Sequence, residues 1–173
     1  MRVEERAARI TMLVLDVDGV LTDGGLYYDD QGRISKRFHV QDGLGIKLAQ
    51  AAGIEIAVIS GLDSEAVRNR VTELGVTEYH AGHLKKIPLL EKLCQKRKVS
   101  FKNVAYLGDD WVDAGVMQKV GLPMAVANAQ PEILDLAAWV ATRQGGRGAV
   151  REAIRFLLTC QGKLDEQWQR WQG

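Results

Sequence analysis

The apolar run Met12–Leu15 stops at two aspartates spaced D-x-D, Asp16 and Asp18. The run reads MLVL, unbroken by polar residues, as a short parallel strand buried on both faces does. Its carboxyl end is where open α/β sheets bind their ligands. Alternate residues of an extended chain share a face, so the intervening Val17 keeps both carboxylates on one side. Two such charges repel, and their pKa values rise unless a cation lies between them. The economical arrangement is a Mg2+ site of hard oxygen donors, with one aspartate free to act as nucleophile.

Two later strands also end in polar residues. Ile54–Ile59 (IEIAVI) runs into Ser60-Gly61, and Asn103–Leu107 (NVAYL) runs into Gly108-Asp109-Asp110. A lone D-x-D carries little weight, because surface aspartates are common. The recurrence carries more, since the carboxyl ends of parallel strands converge on one crevice. Asp109 adds a metal ligand there. A lysine at the start of the helix near Lys86, with Lys85 adjacent, can bind a phosphate oxygen as a point charge. Carboxylates, magnesium, a hydroxyl and an ammonium together describe phosphoryl transfer, in which positioning and charge neutralisation supply most of the catalysis.

Strand-like and helix-like segments alternate from end to end, which predicts an α/β fold: a doubly wound, Rossmann-like parallel sheet covered by helices. Gly25–Asp29 and Arg33–Phe38 alternate around Asp30-Gln31-Gly32 as a hairpin, about residues 25–38. Asp42 reads as the cap of a helix over Gly43–Ala52, and Asp63 as the start of one reaching Leu74. Further helices fit Lys86–Arg97, Ala114–Val120, Glu132–Ala138 and Ala149–Leu158; strands fit Glu78–His80, Leu122–Val126 and Trp139-Val140. One of Asp109 and Asp110 is expected to cap a helix as well as serve the site. Gly145–Gly148 reads equally as a flexible loop or as a substrate contact. A polar tail follows from Gln161 to Gly173, in which Trp168 and Trp171 would pack on another subunit. With no repeat or linker, the expectation is one domain over residues 1–173.

Lys+Arg number 23 against 22 Asp+Glu, a balance without the basic footprint of a nucleic-acid or anionic-membrane binder. No apolar stretch approaches the length needed to span a bilayer, and Met1–Arg9 is too charged for a signal peptide. Cys94 and Cys160 fit buried thiols in a reducing compartment, so a soluble, cytoplasmic protein is expected. His80 and His83 form H-x-x-H without an evident further ligand and read as structural or surface residues, not as a zinc site.

At the residues singled out above the chain resembles the haloacid dehalogenase (HAD) superfamily of phosphatases. Asp16-Val17-Asp18-Gly19-Val20-Leu21-Thr22 is similar to its first motif, Ser60 to its second, Lys86 to its third and Gly108–Asp113 (GDDWVD) to its fourth. The resemblance implies that Asp16 attacks phosphorus and forms an aspartyl phosphate. Asp18 would protonate the leaving alcohol and then deprotonate the water that releases phosphate. Mg2+ would be held by the Asp16 side chain, the Asp18 carbonyl and the Asp109 side chain. Asp110 and Asp113 would orient those ligands, and Ser60 with Gly61 and Lys86 would grip the phosphoryl group.

Neither the interval from Asp18 to Ser60 nor that from Ser60 to Lys86 has room for the cap domain that most of these phosphatases use, since both are filled by the elements above. An open site leaks water and discriminates poorly, so another subunit is expected to close it. Leu21–Ala49 and Gly145–Ile154 (GGRGAVREAI) resemble the capless 3-deoxy-D-manno-octulosonate 8-phosphate phosphatases, enzymes of lipopolysaccharide precursor synthesis. That family implies a homotetramer with shared active sites, joined by the hairpins and covered by a neighbour's tail. Leu62 stands where the family usually has arginine, and Arg70 or Arg147 would then meet the sugar acid. Three other readings stay open: a phosphatase for a nine-carbon sugar acid such as 2-keto-3-deoxynononate 9-phosphate, an inactive oligomerisation module, and a phosphorylated receiver. The order of the acids, D-x-D first and the adjacent pair late, argues against the receiver.

Overall fold

The computed structural model describes residues 1–172. A short helix α1 (Val3–Ala7), absent from the sequence reading, leads into β1 (Met12–Leu15). The hairpin follows as β2 (Tyr27–Tyr28) and β3 (Ile34–Ser35). Then come α2 (Val40–Ala51), β4 (Glu55–Ile59), α3 (Glu65–Glu73), β5 (Glu78–His80) and α4 (Ile87–Arg97). The second half holds β6 (Val104–Gly108), α5 (Trp111–Met117), β7 (Leu122–Ala125), α6 (Pro131–Leu136), β8 (Trp139–Val140), α7 (Ala149–Cys160) and α8 (Leu164–Gln169).

Six strands form one sheet in the order β5-β4-β1-β6-β7-β8, and every neighbouring pair is parallel. The chain winds outward from β1 to β5, crosses back to β6 and winds out again to β8. The order therefore reverses between β1 and β6, the position at which such sheets open a ligand crevice. Right-handed crossovers put α2 and α3 on one face and α4, α5 and α6 on the other. In keeping with this, α2 packs on α7 and α1 on α7, while α5 packs on α4 and α6. β1 and β6 are wholly buried, as strands covered on both faces must be.

The hairpin's ladder is shorter than its alternation suggests, two residues a side, and a bridge between Thr22 and Phe38 closes its base. Asp29 holds its turn by accepting from the backbone N–H of Gln31 (3.0 Å) and Arg33 (2.8 Å). Leu26, Tyr27, Tyr28 and Ile34 all stand exposed on this arm. The polar tail is not free: α8 packs on α7, Gln167 is buried, and Lys163 Nζ donates to the carbonyl of Ala52 (2.8 Å). Trp168 and Trp171 remain exposed on it, and Gly173 lies outside the described residues. Cys94 and Cys160 are both free, but only Cys94 is buried, Cys160 being half-buried.

Several helix starts depart from the sequence reading. Ser64, not Asp63, stands before α3, and α5 begins at Trp111 because Asp110 Oδ1 accepts from its N–H (2.7 Å). Asp42 does not cap α2, which begins earlier, at Val40. Its carboxylate, 2% exposed, instead reaches across to α7 and accepts from the N–H of Gly148 (3.2 Å) and Arg151 (2.8 Å). It thus caps the neighbouring helix. Removing that acceptor strands buried donors, so Asp42→Ala should lower the unfolding free energy by about 2 kcal/mol, with Asp42→Asn losing less. A urea titration checks this: the midpoint falls while the slope stays unchanged.

Candidate active site

Register brings three strand ends level. Leu15 stands opposite Val58 of β4 and Leu107 of β6, so Asp16, Ser60 and Asp109 emerge along one edge at the reversal of strand order. After Asp16 the chain turns tightly through residues 17–21. Thr22, wholly buried, pins the turn: its N–H donates to the Val17 carbonyl (3.0 Å), and its Oγ1 accepts from Gly24 (3.3 Å). Gly19 sits at φ 91°, and a Cβ there would fall inside the Asp109 carboxylate. Glycine is required on both counts.

Lys86 lies at the centre. It is 2% exposed, whereas Lys85 is exposed, which settles which of the two enters the crevice. Its Nζ donates to Asp16 Oδ1 (2.5 Å), to Asp113 Oδ1 (2.7 Å) and to the hydroxyl of Tyr106 (3.1 Å). Burial alone disfavours the ammonium, but Asp16 and Asp113 outweigh it and hold Lys86 above its usual pKa. Asp113, fully buried, has both oxygens engaged. Oδ1 also accepts from Tyr106 (2.6 Å), and Oδ2 takes the N–H of Asp109 (2.9 Å) and Asp110 (3.4 Å).

Oxygens of Asp16, Asp109 and Asp113 lie within 4.8 Å of one another. Burial, then repulsion from Asp113, pushes Asp16 up to about 6 against the pull of Lys86. Burial and the charges of Asp16, Asp113 and Asp110 push Asp109 up to about 8. Three carboxylates against one ammonium leave an excess of two negative charges. Asp109 Oδ1, moreover, is buried without a hydrogen-bond partner. An all-oxygen donor set short of a double positive charge fits a divalent cation such as Mg2+. Asp16 and Asp109 have oxygen atoms to offer it, whereas Asp113 is saturated and can only orient its neighbours.

The other anticipated residues divide. Asp110 is exposed, and its carboxylate caps α5. The Ser60 hydroxyl, fully buried, is turned onto its own loop, donating to the Leu62 carbonyl (2.8 Å) and accepting from its N–H (3.2 Å). Gly61 follows it in a turn where a Cβ would press on Leu84. Leu62 itself is 51% exposed. Arg70 is drawn aside, paired with Glu73 Oε2 (2.8 Å) and lying against Gly43. Arg147 is exposed.

Gly145 and Gly146 have a packing role instead of flexibility. A Cβ on either would collide with the backbone of residues 19–23, and the Gly146 N–H donates to the Val20 carbonyl (2.9 Å). His80 Nε2 lies 3.2 Å from Glu78 Oε2, in keeping with a structural reading. Two side chains escaped the sequence reading. Tyr106, three residues before Asp109, looked like core strand, and its hydroxyl is visible as functional only through its partners. Lys36, on the hairpin, donates to Asp18 Oδ1 (2.5 Å), and no spacing signal ties residues 18 apart.

A model of the haloacid dehalogenase-like hydrolases matches residues 78–154. The 3-deoxy-D-manno-octulosonate 8-phosphate phosphatase KdsC of Escherichia coli K12 is 45% identical over 161 residues, 93% of this chain and 86% of that protein. The chain belongs to the 3-deoxy-D-manno-octulosonate 8-phosphate phosphatase family of these hydrolases. The family member from Moraxella catarrhalis, crystallised with a magnesium ion, a phosphate ion and a KDO molecule, superposes with a TM-score of 0.96 at 32% identity. The match covers 98% of this chain and 97% of that one. The cobalt-bound family member from Haemophilus influenzae gives a TM-score of 0.91 at 38% identity, over 95% and 99% of the two chains.

Protons and magnesium compete for the same oxygens, which sets the sign of a pH effect. The apparent magnesium dissociation constant should fall about tenfold per pH unit from pH 6 to 8, as one proton leaves Asp109, and level off above. Titration calorimetry at several pH values measures it. Asp109→Asn should remove the dependence together with most of the affinity.

Proposed function

We propose that this protein is a magnesium-dependent phosphatase that hydrolyses 3-deoxy-D-manno-octulosonate 8-phosphate to the free sugar acid and phosphate. The observation that carries the reading is the buried Lys86–Asp16 ion pair beside the unpartnered Asp109 oxygen, at the reversal of strand order, in a chain of this family. Magnesium held by Asp16, Asp109 and the Asp18 carbonyl supplies the positive charge that lets an anionic nucleophile approach an anionic phosphoryl group.

Asp16, ionised at pH 7, forms the bond to phosphorus as the bond from phosphorus to the sugar oxygen breaks. Asp18 gives that oxygen its proton. In the second half-reaction Asp18 takes a proton from water, whose oxygen bonds to phosphorus as the Asp16–phosphorus bond opens. Lys86 screens charge on the transferring group and keeps Asp16 aligned. Ser60 turns from its own loop to an oxygen of the phosphoryl group. Asp113 and Tyr106 hold Lys86 in place.

With Leu62 aliphatic and Arg70 tied to Glu73, Arg147 is the residue left to meet the sugar carboxylate. Leu62 is also what favours testing a nine-carbon sugar acid as the alternative substrate. The missing cap and the exposed aromatic arm support a homotetramer in which a neighbour closes each site. The exposed faces of Trp168 and Trp171 give the tail a surface for that neighbour. Among the described residues no helix is long and apolar enough to cross a membrane, and the free thiols fit the cytoplasm.

Asp16→Asn should lower phosphate release at least about 10³-fold while leaving the melting profile intact, because an amide of the same shape cannot attack phosphorus. Near-normal release would remove Asp16 as nucleophile, whereas wild-type protein that releases no phosphate would leave an inactive module's reading in its place. Specificity constants over eight- and nine-carbon sugar-acid phosphates decide the substrate. Sedimentation velocity should find a tetramer, and a fully active monomer would exclude shared sites.

A further inference from the structure

Lys36 lies on an arm that is otherwise in water. Ile34, Ser35 and Arg37 beside it are exposed, yet the Lys36 side chain is 1% exposed. Burying an ammonium costs several kcal/mol unless a partner compensates, so a surface hairpin does not bury one by default. Here the partner is Asp18, whose Oδ1 stands 2.5 Å from Nζ. Among the described residues no other side chain hydrogen-bonds to that carboxylate.

The lysine is itself held from both sides. The Thr22–Phe38 bridge closes the hairpin on the far side of the turn that carries Asp18. Arg37 Nη1 donates to the Gly146 carbonyl (3.0 Å) and lies 3.6 Å from Asp23 Oδ2, clamping the arm to the same loop. The backbone at Asp18 (φ −79°, ψ 111°) interrupts the turn, so no regular element fixes the direction of its side chain.

We infer that Lys36 is a positioning residue of the reaction: by holding Asp18 Oδ1 it presents Oδ2 to the sugar oxygen and then to water. The inference rests on the reading of Asp18 as acid and base. A proton donor must come within about 2.6–3.2 Å of its target, and a displacement of 1 Å can cost about 10²-fold. In the first half-reaction the Oδ2 proton passes to the sugar oxygen as the phosphorus–oxygen bond breaks. In the second, Oδ2 takes a proton from water as the Asp16–phosphorus bond opens. Lys36 keeps its protons throughout. The arm that offers an apolar surface to another subunit therefore also aims the proton donor, and sequence separation hides the link.

The test is a cycle of Lys36→Met, Asp18→Asn and the double variant, assayed on 3-deoxy-D-manno-octulosonate 8-phosphate at saturating magnesium. Lys36→Met should lower kcat about 10²-fold with KM within about threefold, and should slow the Asp18→Asn enzyme no further. A raised KM with kcat kept would make Lys36 a substrate ligand and overturn the inference. So would an equal further loss on the Asp18→Asn background, which marks a role in the fold alone. Should Lys36→Met disturb folding or assembly, Lys36→Cys treated with 2-bromoethylamine rebuilds an ammonium of nearly the same reach. Wild type treated in parallel accounts for Cys94 and Cys160. Recovered kcat supports the inference; none, with the alkylation verified by mass, refutes it. Wild-type turnover in Asp18→Asn alone would defeat the reading of Asp18 itself, whatever Lys36→Met does.

Discussion

The site depends on a deliberate imbalance of buried charge. Asp16, Asp109 and Asp113 crowd around a single ammonium, Lys86, with all but the half-buried Asp109 buried. Left alone, the cluster answers by holding protons, which is why Asp16 and Asp109 lie so far above an ordinary aspartate. A divalent cation is the charge that the crevice lacks, and with it in place a phosphoryl dianion can enter beside Lys86. Lys86 prevents collapse of the empty cluster by bridging Asp16 and Asp113. Asp113 is in turn saturated by Tyr106 and two backbone donors. That network is fully satisfied except at Asp109 Oδ1, the one atom still waiting for a partner.

Holding the turn that carries the D-x-D is largely the work of residues far along the chain. Gly145 and Gly146 lie so close to residues 19–23 that no side chain fits between them. α7 begins directly afterwards, and Asp42 reaches over from α2 to cap it. One buried carboxylate thereby joins three pieces: the helix after the hairpin, the helix that ends the core, and the glycine loop that braces the turn. The hairpin adds a fourth through Lys36 and Arg37. This clamp fixes the turn from several sides, while Leu62 and Arg147 stand exposed outside it.

Much of this was legible in the residues. Short apolar runs broken by glycine and capped helices have only one economical packing, so the parallel sheet and its polar edge followed from pattern alone. Asp16 and Asp109 could be found because strand ends in such a sheet converge whatever the details of the helices. Helix starts were less legible, since Asp63 and Ser64, or Asp109 and Asp110, are chemically interchangeable as caps until the backbone direction is known.

What remained hidden is long-range pairing. Asp42 beside a helix start reads as its cap, and only packing reveals that its oxygens reach a helix more than a hundred residues away. Lys85 and Lys86 are alike on paper; the turn into α4 buries one and exposes the other. Tyr106 and Lys36 carry no local signature, because a hydrogen bond between distant residues leaves no periodicity in the chain. Residue type and spacing determine which chemistry is available, since they follow from covalent order and local geometry. Which atoms meet is decided by the tertiary fold, where a difference of an ångström separates a surface charge from a buried one.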